Sequence, residues 1–142
     1  LRRAQDAILQ MRPYARKMQD MLSNIVSNTE IEAGGALTVE RPVEKVLLIL
    51  ITSDRGLCGG YNANLIKLAK QTIADNYAAQ RAKGNATIWG LGKKGWESMS
   101  KQGFNTSDTY RDVFHNLSFE SVQACAQAAV QAFVNKEFDV VE

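Results

Sequence analysis

Seven consecutive residues, Val46 to Thr52, are apolar or β-branched and show no alternation. A strand with one wet face alternates. A run such as V-L-L-I-L-I-T needs apolar cover on both faces, as inside a parallel sheet layered with helices. A polar turn rich in glycine, Ser53–Tyr61, follows, and a helical period begins near Ala63. Strand, glycine turn and helix in that order is also the layout of many phosphate sites, so the turn has to be tested for that chemistry.

The side chains do not fit it. A Walker-type loop places Gly, four residues, then Gly-Lys and Ser or Thr. Here the glycines are Gly56, Gly59 and Gly60, and Tyr61 stands where a lysine would reach the phosphates. The dinucleotide spacing G-x-G-x-x-G is absent from this turn as well. It reads as a strand-to-helix connection whose glycines permit positive φ, with Asp54 and Arg55 as its charged members. A small-molecule site is the alternative.

The second constraint lies at the start of the chain. Leu1, Ala4, Ile8, Met11, Ala15, Met18, Leu22 and Ile25 recur at alternating steps of three and four. That is the a/d seam of a coiled coil, narrower than the stripe of a globular helix. It predicts one helix over residues 1–28, with Pro13 off the seam and expected to bend or loosen it. About 28 residues at ~1.5 Å each span roughly 42 Å. The remaining residues would form a domain with a radius of gyration near ~13 Å, so the helix is expected to project. A seam in water forfeits roughly 1.5–3 kcal/mol per large apolar side chain relative to burial. A second helix should therefore cover it, from a missing segment or another chain. Packing along the chain's own sheet is the other reading, which the narrow period disfavours.

Residues 29–45, with Gly34, Gly35 and Pro42, read as a connecting loop. Beyond the Val46 strand, Ala63–Lys83 reads as a helix capped by Asn62 or Asn64 and ended by Gly84. Its inner face would carry Leu65, Ile66, Ala69, Ile73 and Tyr77. Asn85–Leu91 is a second strand, and Lys93–Gln102 a short helix closed by Gly103. Phe104–Phe114 is a poor strand anchored by Phe104 and Tyr110. Ser118–Lys136 is an amphipathic helix that Ser118 can cap, with Leu117 stapled onto Val122. Its expected face is Val122, Cys125, Ala126, Ala129, Val130 and Phe133. Phe138–Val141 begins a last strand.

These elements run helix, then strand and helix three times, then strand. The order predicts an α/β fold: a mostly parallel sheet flanked by helices in Rossmann-like three-layer fashion, preceded by a long projecting helix of coiled-coil type. The expected divisions are 1–28, 29–45 and 46–142. Leu1 already lies within the helical period and Phe138–Glu142 breaks off within a strand, so the chain is expected to be part of something longer.

The second turn, Gly90-Leu91-Gly92-Lys93-Lys94-Gly95, matches the dinucleotide spacing literally. Asp108 or Asp112 stands near the place of the acidic residue such a site needs. Against that reading, Lys93 and Lys94 crowd the turn and Gly103 soon ends its helix. His115, the only histidine, has no local nucleophile motif and no second histidine for a metal, so a surface or capping role is expected. Catalytic, cofactor and metal residues are expected to be absent. A net charge of +2 is too small to argue for nucleic acid or an anionic membrane, and the longest apolar run is much shorter than a ~20-residue span, so no direct membrane insertion is expected. Cys58 and Cys125 lie far apart and read as reduced thiols.

The stretch S-D-R-G-L-C-G-G-Y-N at residues 53–62, preceded by the buried strand and followed by N-A-N-L-I-K, closely resembles the gamma subunit of rotary ATP synthases. The opening L-R-R-A-Q, the helix to Asn28 and the order of elements to Glu142 agree. The resemblance covers essentially the whole chain and corresponds to the family's N-terminal helix and central α/β part. The family's first residues and long C-terminal helix have no counterpart.

The resemblance implies a non-catalytic rotor stalk. Proton flow would turn a membrane ring of c subunits, and the gamma shaft would turn inside a ring of α and β subunits. ATP chemistry would occur on β. The subunit's own missing C-terminal helix would cover the seam, and the α/β part would sit beside epsilon and above the c ring. The location implied is peripheral, on the cytoplasmic face of the bacterial plasma membrane, with an organelle inner or thylakoid membrane as the lesser choice. Interaction with the stator ring is expected of Ser53, Asp54, Arg55, Gly56, Leu57, Cys58, Gly59, Gly60 and Tyr61 from the resemblance. It is expected of Arg2 and Arg3 from their off-seam positions. The alternatives are a dinucleotide-dependent enzyme using Gly90–Gly95 and a coiled-coil adaptor pairing through Leu1–Ile25.

Overall fold

The computed structural model describes residues 1–28, 40–56 and 60–142, with the side chains of Tyr14, Met18 and residues 21–28 left aside. Two units are present, residues 1–40 and residues 41–142.

In the first unit, α1 (Arg2–Asn28) runs without a break through Pro13. The seam residues Leu1, Ala4, Ile8, Met11 and Ala15 are exposed, Ile8 at 59% and Met11 at 60%. A shallow apolar groove runs along Ala7, Ile8, Met11 and Ala15. Met18, Leu22 and Ile25 fall outside the described side chains, and most of the expected loop, residues 29–39, falls outside the described residues.

The second unit is built on a four-stranded sheet in the order β3-β2-β1-β4, with every pair parallel. Its strands are β1 (Val46–Ile51), β2 (Ala86–Leu91), β3 (Asn105–Ser107) and β4 (Val140–Val141). The helices are α2 (Tyr61–Asn76), α3 (Ala78–Ala82), α4 (Lys93–Lys101) and α5 (Phe119–Val134). β1 and β2 pair in register, Leu48 opposite Ile88. One face of the sheet presents Leu48, Leu50 and Ile88 to Ala69 and Ile73 of α2, Met99 of α4 and Phe104. Because side chains alternate, Leu47 and Trp89 belong to the other face. There the Trp89 ring meets Tyr110 and Phe138. Tyr110 in turn lies near Cys125 of α5. Right-handed crossovers explain the layering: the chain steps one way from β1 to β3, then reverses to reach β4, which carries α5 to the opposite face.

Several local expectations change. The helix expected over 63–83 starts at Tyr61 and breaks at Tyr77, whose backbone leaves the helical region at φ −133° and ψ 24°. The Tyr77 side chain is drawn inward. Burial first, and then a hydrogen bond with Glu142, push its phenol up to about 12. Neither asparagine caps α2: its N-cap is Gly60, without a side-chain bond. Asn62 instead accepts from the Ser53 N–H at 3.2 Å and donates to Ser53 Oγ at 2.7 Å. Thr52 lies beyond the end of β1.

The poor strand shrinks to three residues, followed by turns through Asn116. Its anchors hold, for Phe104 is buried under the Arg81 guanidinium and Tyr110 stacks on Trp89. On α5 the buried stripe is narrower than expected: Cys125, Ala129 and Ala132. Val122, Ala126 and Val130 are exposed. Leu117 and Val122 also remain exposed, and a reciprocal capping box between Ser118 and Ser121 fixes the helix start. The end of α5 is closed by Lys136 in the left-handed region at φ 62°. There Lys136 N–H donates to Phe133 O and Glu137 N–H to Ala132 O, a Schellman closure.

Candidate functional site

Ligands of parallel α/β sheets bind beyond the carboxyl ends of the strands, so both glycine turns lie where a site would be sought. The second turn begins at Gly92, which opens α4 at φ 97°. A side chain there would drive straight into the Thr52 carbonyl. A Cβ on Gly90 would stand 2.7 Å from that of Trp96, and one on Gly95 equally close to the Thr52 methyl. The three glycines thus let α4 sit tightly on the ends of β1 and β2.

The backbone donors of that turn are already engaged. Gly92 N–H donates to Arg111 O at 3.0 Å and Lys94 N–H to Ser53 O at 3.1 Å. Lys93 N–H donates to Asp54 Oδ1 at 3.0 Å, and the buried Gly95 N–H to Thr52 Oγ1 at 2.7 Å. A pyrophosphate would use these same groups at a helix N-terminus. Here Thr52, the first-turn residues Ser53 and Asp54, and the Arg111 carbonyl take that place. Asp112, one candidate for a ribose acceptor, is held by Arg111 at 3.2 Å. That hydrogen bond, reinforced by the guanidinium charge, keeps the Asp112 carboxyl below its usual range. The Arg111 guanidinium also lies over the Trp96 ring, 4.6 Å from its centre.

The first turn divides into an inward and an outward part. Ser53 and Asp54 are half-buried. Ser53 Oγ donates to Arg55 O at 2.6 Å, and the second Asp54 oxygen lies 3.4 Å from His115 Nε2. His115 is otherwise a surface side chain, 4.0 Å from Asp112. Arg55, Gly56, Gly60 and Tyr61 face outward, although the Tyr61 hydroxyl donates back to Ile51 O at 2.9 Å. Leu57, Cys58 and Gly59 lie outside the described residues. Arg2 and Arg3 are exposed on α1, in the other unit. The structure therefore brings Ser53 and Asp54 together with the second turn, a pairing no local pattern announces.

A second network has no local signature in the sequence. Arg41 Nε meets Asp139 Oδ1 at 2.8 Å, with the two side chains only 17% and 12% exposed. Its residues are 98 positions apart, so nothing in a local window could have paired them.

Among the described residues, no group of three or more His, Cys, Asp or Glu side chains is placed to share a metal ion. No helix among them is long and apolar enough to cross a membrane. Burial raises the Cys125 thiol above its ordinary value, which makes it a small buried hydrophobe in practice.

The family model described as ATP synthase matches residues 1–142. The chain is 45% identical over 141 residues to the ATP synthase gamma chain of Chlorobaculum parvum, covering 99% of this chain and 48% of that protein. The chain belongs to the ATP synthase gamma-chain family. Relatives of the same name from Chlorobaculum tepidum, at 44% over 141 residues, and Flavobacterium johnsoniae, at 41% over 142 residues, are matched over 48% of their lengths. The chain thus spans about half the length of the curated gamma chains it matches. The matched region takes in α1, both glycine turns and β4 together, so the gamma-chain likeness is not confined to the sheet.

Proposed function

We propose that this chain supplies the N-terminal shaft helix and much of the α/β base of a central-stalk rotor subunit in a proton-translocating ATP synthase. The observation that carries the reading is the gamma-chain match along residues 1–142, which includes a helix with exposed Ile8 and Met11 on a 3.5-residue period. In the complete subunit a second long helix covers that seam, and the pair turns as a coiled-coil shaft within the α and β ring. The base stands beside epsilon and the c ring, on the cytoplasmic face of a bacterial plasma membrane. ATP chemistry belongs to β. This part contributes stiffness and an asymmetric surface. Arg2, Arg3 and the outward side of the 53–61 turn meet the stator.

What supports a mechanical role over a ligand-binding one is the filled second turn. Its donors at Gly92, Lys93, Lys94 and Gly95 are bonded to the chain itself. A dinucleotide would have to expel Thr52, Ser53 and Asp54 before it could bind.

The test is assembly of the complete subunit with α and β subunits, a probe on the α/β unit, and observation during ATP hydrolysis. Unidirectional rotation is expected. Failure to assemble, or assembly without rotation, sinks the proposal. For the interface, single cysteines at Arg2 and Arg55 should lose reactivity toward a thiol reagent on assembly. Unchanged labelling at both would remove those positions from the stator contact.

A further inference from the structure

We propose that the open edge of β1 is the docking place of the residues that follow Glu142 in the gamma chain, which lengthen β4 by two residues and seat an aliphatic side chain between β1 and α2. The inference concerns the α/β unit alone and does not depend on the rotor reading.

β1 has six residues, yet β4 pairs with only the first two, Val46 and Leu47. The ladder nonetheless runs on to Glu142. Its N–H donates to Leu47 O at 2.9 Å, and its carbonyl accepts the Ile49 N–H at 2.7 Å. Those two bonds set Glu142 opposite Leu48. Backbone groups point alternately to the two sides of a parallel strand, so the next rung on this side would use Ile49 O and Ile51 N–H. No described strand lies beside them. The rung after that is taken, because Ile51 O accepts the Tyr61 hydroxyl at 2.9 Å. The edge is therefore open for one rung, which two more residues in the same register would fill.

Side chains follow the same register. Cross-strand partners share a face of the sheet, so Glu142 belongs to the Leu48 face, where its carboxylate meets the Tyr77 hydroxyl. The second residue after Glu142 would stand opposite Leu50 on that face. A groove of about 200 Å³ lies there, lined by Leu48, Leu50, Leu65, Leu68, Ala69 and Thr72. Leu68 is 56% exposed, and Ile51 at the strand end 49%. Apart from Glu142 the groove carries no charged side chain, so it suits an aliphatic residue, whose seating would remove apolar surface from water. Residues tethered to Glu142 reach this edge at a high effective concentration, an advantage that a separate strand lacks. The curated gamma chains matched above carry about as much sequence again as they share with this one.

The experiment is amide hydrogen exchange at Ile51 in the complete gamma subunit. Leu50 N–H, on the β2 side of the same strand, is the control. Slow exchange at Ile51 is expected in the free subunit, at every subunit concentration. Asp in place of the second residue after Glu142 should speed it on the order of 100-fold and leave Leu50 unchanged, since protection follows local bonding. Ala at that place, the milder change, should act in the same direction if the Asp variant does not fold. Free exchange at Ile51 in the unaltered subunit overturns the proposal. Protection that grows with subunit concentration assigns the edge to a second copy, and protection that comes only on assembly assigns it to another subunit; either overturns it. Ile51 unmoved by both replacements overturns it too, as does a Leu50 amide that loosens as much as Ile51. None of these outcomes touches the rotor reading, which is tested by rotation.

Discussion

The two units use apolar residues in opposite ways. In the α/β unit Leu47, Ile73, Ile88 and Met99 are completely enclosed, and sheet and helices cover one another. On α1, Ile8, Leu9 and Met11 stay exposed. A buried Leu, Ile or Met side chain is worth roughly 1.5–3 kcal/mol over an exposed one. The sheet unit gains that for these four side chains, whereas Ile8, Leu9 and Met11 of α1 do not. A long helix in water gains little from propensity alone, since most helical stability in proteins comes from packing an apolar face. The contrast is between a region with an enclosed apolar core and a helix whose described apolar side chains are exposed.

The sharpest way to break this comparison is Gly92→Ala. It adds a Cβ against the Thr52 carbonyl at a φ of 97°, so α4 cannot close on β1. A loss above about 4 kcal/mol is expected, read as collapse of the cooperative denaturant transition. A loss below about 1 kcal/mol would mean that the second turn is not the seal of the unit. Next comes Asp139→Asn, expected to cost about 2–3 kcal/mol, under the range for a fully buried pair because some solvent reaches it. Here pH adds a check. Burial pushes the Asp139 carboxyl up, but the bonds from Arg41, Lys45 and Glu44 prevail and its range is lowered. Its contribution is therefore complete above the unfolded value near ~3.9 and disappears as pH falls through the lower folded value. Melting against pH in the acid range should be steeper for wild type than for Asp139→Asn.

Thr52→Val leaves the Gly95 N–H buried without its acceptor, for about 1–3 kcal/mol by denaturant titration. Lys136→Gly acts in the opposite direction. It relieves a left-handed residue at φ 62° and should stabilise by about 1 kcal/mol. The smallest effect sharpens the comparison most. Replacing both Ile8 and Met11 by Gln should change the stability of the isolated chain by less than about 0.5 kcal/mol, since both are exposed. The same pair should lower the yield of assembled enzyme. A large loss in the isolated chain would show that the seam is already covered without a partner.

Much of this was readable in advance, for physical reasons that differ by element. The uninterrupted V-L-L-I-L run announced a strand covered on both sides, and Val46, Leu47, Leu48 and Leu50 are buried. The period of residues 118–136 announced α5 and its Ser118 cap. It overstated the buried face, because periodicity reports which residues could be inward and not how wide the contact is. The literal glycine spacing at 90–95 pointed toward a cofactor. The same glycines serve a close approach of α4 to β1, and a spacing alone cannot tell one use from the other. The break at Tyr77 was hidden too, since no glycine or proline marks it between Tyr61 and Lys83.

Amino-acid order alone settled the α/β class, the parallel sheet and the helix that precedes it. Those follow from repeat length and from the handedness of crossovers, both properties of neighbouring residues. Tertiary structure alone decided that Thr52, Ser53 and Asp54 fill the second turn, and that Arg41 clasps Asp139. Each of those pairs is made of residues about 40 to 98 positions apart, whose meeting depends on where the whole sheet places its strand ends.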